Sequence, residues 1–236
     1  VSHSTPRIII AADGLSYRHC MQLAGVVSGR VYAIKIHELF DRHGPKAVRA
    51  LRNLGVRVWV DAKIHDTPDT ARLRAQAMAT AGADILTVHA AGGIEMMCAA
   101  VEKATEVYAV TVLTSLEESW VRAVYGRSAT DVVLAFALLA RHAGVRGIVC
   151  SPREVGMLAT HPELCTLELV TPGVRSSGTP ANDQQRIATP AAAIAAGATR
   201  IVVGRQVTRA NDPLTALTCI EEEIATALAA EALYVP

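Results

Sequence analysis

Two acids and a base fall close together in V-D-A-K-I-H-D-T-P-D-T, the stretch from Val60 to Thr70. It continues R-V-W-V, an apolar run that reads as a strand entering a protein core. An unpaired charge in such a place is strongly unfavourable, so partners are required. Residues two apart on a strand share a face, which predicts that Arg57, Trp59, Asp61 and Lys63 point one way. Val56, Val58, Val60 and Ala62 form the opposite, apolar face. Lys35 ends the preceding apolar run, V-Y-A-I-K, and Asp66 stands just beyond Lys63. Bases alternating with acids make each charge the partner of the next. At about 4 Å and an effective dielectric near 20, one such contact is worth on the order of 4 kcal/mol before desolvation. Such a cluster, set beside a phosphate-type loop, reads as a functional site with perturbed pKa values. An ion-pair network of purely structural value is the alternative.

A second chemical feature is T-P-G-V-R-S-S-G-T-P-A-N-D-Q-Q-R followed by I-V-V-G-R. The first part is too long and too rich in Gly, Ser and Pro for a simple connection, and predicts a lid over about residues 172–186. Arg205 carries a fork of donors suited to phosphate oxygens, Gly204 before it permits close approach, and Gln184 inside the lid can reach the same group. A surface loop and a rim salt bridge are the plainer readings. His89 reads as a strand-end histidine with no second ligand at metal spacing, and His65 as structural. Ser115 has no nucleophile elbow around it.

The elements that must position these groups follow from period and punctuation. Short β-branched runs sit at 8–12, 31–36, 56–60, 84–89, 107–113, 147–150, 167–171 and 200–204, separated by Ala- and Leu-rich helical segments. The helix-to-strand turn recurs as N-L-G-V, T-A-G-A-D, H-A-G-V-R and A-A-G-A-T-R, each with Gly where a helix ends. Eight such units in 236 residues predict an α/β fold, a single-domain (β/α)8 TIM barrel spanning 1–236. A doubly wound sheet competes, but no G-x-G-x-x-G follows the first run. Reactive groups of a barrel lie at the C-terminal strand ends, and the polar residues of the runs are expected there and nowhere else: Asp13, Lys35, Asp61, Lys63, His89, Ser115 and Arg205.

Composition narrows the function classes. The chain is 51% hydrophobic and 19% charged, with formal net charge +1, which gives no support to nucleic-acid binding or to an anionic membrane surface. Five dispersed cysteines without a C-x-x-C pair predict reduced thiols. No apolar segment reaches signal-peptide or membrane-span length, so a soluble cytoplasmic protein is expected.

D-A-K-I-H-D-T-P-D-T resembles the D-x-K-x-H-D-x-P-x-T signature of the orotidine 5′-monophosphate decarboxylase family. The likeness continues through K-I-H-E-L-F, D-R-H-G-P, T-V-H-A-A-G-G, A-V-T-V-L-T-S, T-P-G-V-R, D-Q-Q-R and G-R-Q-V-T. It implies the same barrel and loss of CO2 from orotidine 5′-monophosphate (OMP) to give UMP in pyrimidine synthesis, with no metal and no organic cofactor. Asp13 and Lys35 would hold the ribose hydroxyls, Ser115 the pyrimidine, and Gln184 and Arg205 the phosphate. Asp61 and Lys63 would flank the scissile carboxylate. Family members are dimers, so Asp66 and Thr70 would complete the site of a second copy. The chain departs from the pattern after Lys35: K-I-H-E-L-F is one residue shorter than K-x-G-x-E-L-F and has His37 where Gly is usual, which predicts an altered loop after strand two. Ala62 and Thr67 are also changed. Two other functions stay open: a metal-dependent sugar-phosphate decarboxylase or aldolase sharing D-x-K-x-x-D, and a nucleotide-binding paralogue without catalysis.

Overall fold

The structure is a computed structural model that describes residues 6–177 and 188–232. Its first half runs β1 (Ile8–Ala11), α1 (Tyr17–Val27), β2 (Ala33–Ile36), α2 (Glu38–His43), α3 (Pro45–Asn53), β3 (Val58–Ile64), α4 (Pro68–Thr80), β4 (Ile85–His89) and α5 (Gly93–Val101). The second continues β5 (Glu106–Val110), α6 (Glu118–Tyr125), α7 (Ala129–His142), β6 (Gly147–Val149), α8 (Val155–Ala159), β7 (Glu168–Thr171), α9 (Pro190–Ala195), β8 (Arg200–Val203), α10 (Arg205–Thr208) and α11 (Pro213–Ala232). The eight strands close into one parallel barrel in sequence order, β8 pairing back onto β1. The barrel expected from the sequence is therefore the fold. Among the described residues no single helix is long and apolar enough to cross a membrane.

The repeated turn does what its glycine requires. Two residues past the end of each of α3, α4, α7 and α9 stands a Gly at positive φ, from +76° at Gly144 to +103° at Gly197, where a side chain would clash with its own backbone. Alternation along the strands then sorts the core into two. Val58, Val60, Ile64 and their counterparts pack outward under the helices. Ile9, Tyr32, Ala33, Trp59, Ile85, Tyr108, Val170 and Val202 fill the barrel interior. Trp59 donates its indole N–H to Thr87 Oγ1 at 2.7 Å and meets Tyr108 edge-on, the centroids 5.3 Å apart.

One expectation fails. Polar groups also collect at the N-terminal mouth, where Glu168 opens β7 and Arg200 opens β8. Glu168 accepts from Arg200 (2.9 and 3.0 Å), Arg146 (2.8 and 3.1 Å) and the Tyr108 hydroxyl (2.7 Å). Beside it Glu106 accepts from Arg57 and the Tyr32 hydroxyl, and the Arg200 guanidinium lies 3.3 Å from the centre of the Tyr32 ring. Burial alone would raise the Glu168 carboxyl; hydrogen bonds from Arg200 and Tyr108 overturn that and hold it below its usual range. These residues come from segments far apart in the sequence, and only barrel closure unites them.

Because both partners are buried, Glu168→Gln should cost about 3–5 kcal/mol, roughly a 10 °C fall in Tm. Turnover per folded molecule should be unchanged, the substitution lying at the opposite mouth. Calorimetry showing wild-type Tm would remove the structural role given to this network.

Candidate active site

Strand β3 is the longest of the eight and does not pair evenly with β4. Val60 faces Leu86 but Ile64 faces Val88, so β3 takes four steps where its neighbour takes two. The surplus is a bulge holding Asp61, Ala62 and Lys63. Within it Lys63 adopts φ +42°, the one positive φ among the described non-glycine residues. A left-handed lysine costs on the order of 1–3 kcal/mol, and such strain concentrates where function demands a geometry. Its result is visible: the Lys63 ammonium turns back to 2.7 Å from Asp61 Oδ2. The shared face expected of these two residues is present, produced by the bulge and not by plain alternation.

From β2, Lys35 approaches the same oxygen at 3.1 Å and also reaches Asp13 Oδ1, beyond β1, at 3.1 Å. The Asp61 side chain is 8% exposed and that of Lys35 10%, against 39% for Lys63 and 48% for Asp13. The chain of charges thus runs from the rim into the barrel and back out. Burial alone would raise the Asp61 carboxyl; Lys35 and Lys63 reverse this and bring it down to about 2. Burial likewise works against the Lys35 ammonium, and Asp61 with Asp13 outweighs it, leaving its pKa raised.

These groups line a cavity of about 530 Å³ at the C-terminal end of the barrel, floored by Trp59. Its far wall comes from the segments after β7 and β8: Pro172 to Arg175, Gly204, Arg205 and Gln206. An added Cβ on Gly204 would meet only Ala11 atoms at 3.8 Å or more, so no protein neighbour forces glycine there. Gln206 clasps the start of the predicted lid, accepting from Ser176 N–H at 3.0 Å and donating to Ser176 Oγ at 2.8 Å. Asp13, Lys35, Asp61, Lys63, Gly204 and Arg205 are thereby brought together.

Other expected residues fall elsewhere. Gln184 and residues 178–186 of the lid lie outside the described residues. Ser115 is exposed and does not line the cavity, whereas Thr114 does. The reason is that β5 stops at Val110, short of the expected 113, and the chain turns with Leu116 N–H bonded to Leu113 O, so alternation no longer applies. Asp66 and Thr70 do not join the mouth of their own chain. After Ile64 the backbone leaves the barrel to start α4, where Asp66 accepts from Thr67 N–H at 2.8 Å and Thr70 meets the Thr67 hydroxyl at 3.1 Å. His65 and His89, 24 positions apart, come to 5.6 Å between ring centres. Burial, then His65 and Lys63, lower the His89 pKa. Arg175 and Thr114 line the cavity without having been singled out; T-P-G-V-R and L-T-S carried the signal.

A closed barrel with a charged cup at the C-terminal end and arginines on the last two loops defines a barrel of the enzyme type. Comparison with known proteins narrows this. The family model described as "Orotidine 5'-phosphate decarboxylase / HUMPS family" matches residues 6–220. The chain is similar to proteins named orotidine 5'-phosphate decarboxylase from Thermobifida fusca, 44% identical over 92% of this chain and 95% of the relative, and from Anaeromyxobacter sp., 45% identical over 91% and 96%. A crystal structure of the Lactobacillus acidophilus orotidine 5'-phosphate decarboxylase superposes with TM-score 0.79 at 32% identity, covering 94% of this chain and 99% of that one. The chain belongs to the orotidine 5'-phosphate decarboxylase / HUMPS family.

The Asp61 carboxylate should stay ionised in acid. Its folded pKa lies below the ordinary aspartate value of 3.8, so its contribution to stability is complete above 3.8 and is lost as pH falls through about 2. A carboxyl ¹³C titration should therefore place its midpoint near 2, and Lys35→Ala should move that midpoint upward. A normal aspartate midpoint in the wild type contradicts the pairing.

Proposed function

We propose that the cavity binds OMP and releases CO2 from it to leave UMP, a step of de novo pyrimidine synthesis. The observation carrying this reading is the Asp61 carboxylate buried between the Lys35 and Lys63 ammonium groups in a cavity that Arg205 also lines. The names of the relatives support the substrate.

The bond between pyrimidine C6 and its carboxylate breaks with the electron pair left on C6, and CO2 departs neutral. No adjacent carbonyl delocalises that pair, so the barrier must fall through fixed charge. Lys63 lies beside C6, stabilises the carbanion and protonates it, and water returns a proton to the amine. Asp61 faces the substrate carboxylate; the repulsion disappears as CO2 forms, a smaller contribution than that of Lys63. Asp13 and Lys35 take the ribose hydroxyls, and Thr114 replaces Ser115 at the pyrimidine. Arg205 and Gln184 take the phosphate, with Gly204 giving it room. Binding energy from this remote group drives closure of the lid over 172–186.

The chain works as a homodimer in which Asp66 and Thr70 complete the second copy's cavity; Asp66 is exposed in the single chain, as that role requires. It acts in the cytoplasm, where its five free cysteines stay reduced. The reaction uses no metal or organic cofactor. One observation favours a metal-dependent sugar-phosphate reaction instead: Asp13, His37 and Glu38 offer ligand atoms within 4.8 Å of one another. Against it, the Lys35 ammonium already sits 3.1 Å from Asp13 Oδ1, and a divalent cation beside it would be repelled.

Loss of OMP followed by ultraviolet absorbance should proceed unchanged in EDTA; dependence on added metal would favour the other reaction, and UMP binding without CO2 release a non-catalytic role. Lys63→Ala should lower kcat by at least about 10³-fold while UMP still binds. Near-normal turnover would refute the mechanism. Arg205→Ala should weaken UMP by about 10- to 100-fold and uridine hardly at all.

A further inference from the structure

His37 enters the mouth because β2 passes straight through it into α2, with no intervening glycine loop. Its Nε2 lies 3.0 Å from Asp13 Oδ1, the oxygen that Lys35 also approaches. Its Nδ1 stands 2.7 Å from Glu38 N and 2.6 Å from Glu38 Oε2. One nitrogen cannot serve both. With the ring neutral, Nδ1 accepts from the Glu38 amide and the proton resides on Nε2. With the ring protonated, Nδ1–H donates to the Glu38 carboxylate, which otherwise finds no hydrogen-bond donor for Oε2. In either state Nε2–H points at Asp13. The donation is therefore independent of which form is present.

That matters because the Asp13 side chain is 48% exposed and lies two residues beyond the end of β1. Lys35 and His37 both bind Oδ1, and among the described residues Oδ2 is left without a donor. A half-exposed carboxylate with one oxygen pinned from two sides and the other open to the cavity is arranged to accept from a hydroxyl in the cavity. Glu38 steadies the same corner from behind, accepting from Gly14 N–H, one residue past Asp13.

We propose that His37 is a positioning residue that sets Asp13 for recognition of the ribose hydroxyls. This rests on the reading of the cavity as a nucleotide site. It predicts an effect on binding of hydroxyl-bearing ligands and none on the chemical step, since His37 is separated from Lys63 by the Lys35–Asp61 pair.

The test compares wild type, His37→Ala and His37→Gln with OMP, UMP and 2′,3′-dideoxy-UMP. His37→Ala should raise KM for OMP and Kd for UMP by about 3- to 10-fold, with kcat kept within about twofold. Kd for the dideoxy nucleotide should not change, so discrimination between the two ligands shrinks. His37→Gln, whose amide N–H reaches the Nε2 position, should restore UMP binding. If His37→Ala fails to fold, His37→Ser keeps a capping side chain for α2 and is too short to reach Asp13. Equal weakening of both nucleotides, or wild-type binding in the alanine variant, overturns the proposal. Absence of CO2 release by the wild type is a separate outcome: it refutes the decarboxylase reading, while the two nucleotide affinities still decide the role of His37.

Discussion

A carboxylate withdrawn from water and held between two ammonium groups is the constraint on which the site depends. Asp61 can occupy the barrel mouth in ionised form only because Lys35 and Lys63 both reach its Oδ2. Lys63 reaches it only because β3 bulges and the lysine backbone turns left-handed. Trp59 fills the barrel beneath, and its indole N–H is satisfied by Thr87, so the interior supports the charges without an unpaired polar group on the Trp59 indole. Remove any one of these supports and the remaining charges lose their reason to be buried.

The two mouths of the barrel solve the same burial problem differently. At the N-terminal mouth Glu168 is surrounded by donors on both oxygens, and an aromatic ring covers the guanidinium of its partner. That network is closed and makes a plug. At the C-terminal mouth the charges form an open chain, Asp13–Lys35–Asp61–Lys63, whose ends are more exposed than its middle and border a cavity. Incomplete satisfaction is what leaves capacity for a ligand.

Much of this was legible in the chain. The alternation of Val58 and Val60 with Trp59 and Asp61 gave the two faces of β3 before any geometry, and the glycine after each helix marked where the next strand begins. What was hidden depends on pairing between distant segments. The bulge has no local signature, since it is a mismatch between β3 and β4. Thr114 and Ser115 are both small and hydroxylated, and choosing between them needs the point at which β5 ends. Glu168, Arg200 and Arg146 look like ordinary strand-edge charges until closure unites them. The helices α2, α6 and α10 carry little signal of their own in the sequence because each is short and follows directly on another element or a turn. His37 looked like a disturbance to its loop; in place, it contacts the acid on the neighbouring strand end.

The most direct measurement is a crystal structure of the chain with UMP bound. Lys63 Nζ should stand in contact with pyrimidine C6, Asp61 within a few ångströms of it, and the phosphate against the Arg205 guanidinium. A nucleotide seated with its ring away from Lys63, or with its phosphate on the Lys63 side of the cavity, would contradict the assignment of this buried charge chain to the chemistry.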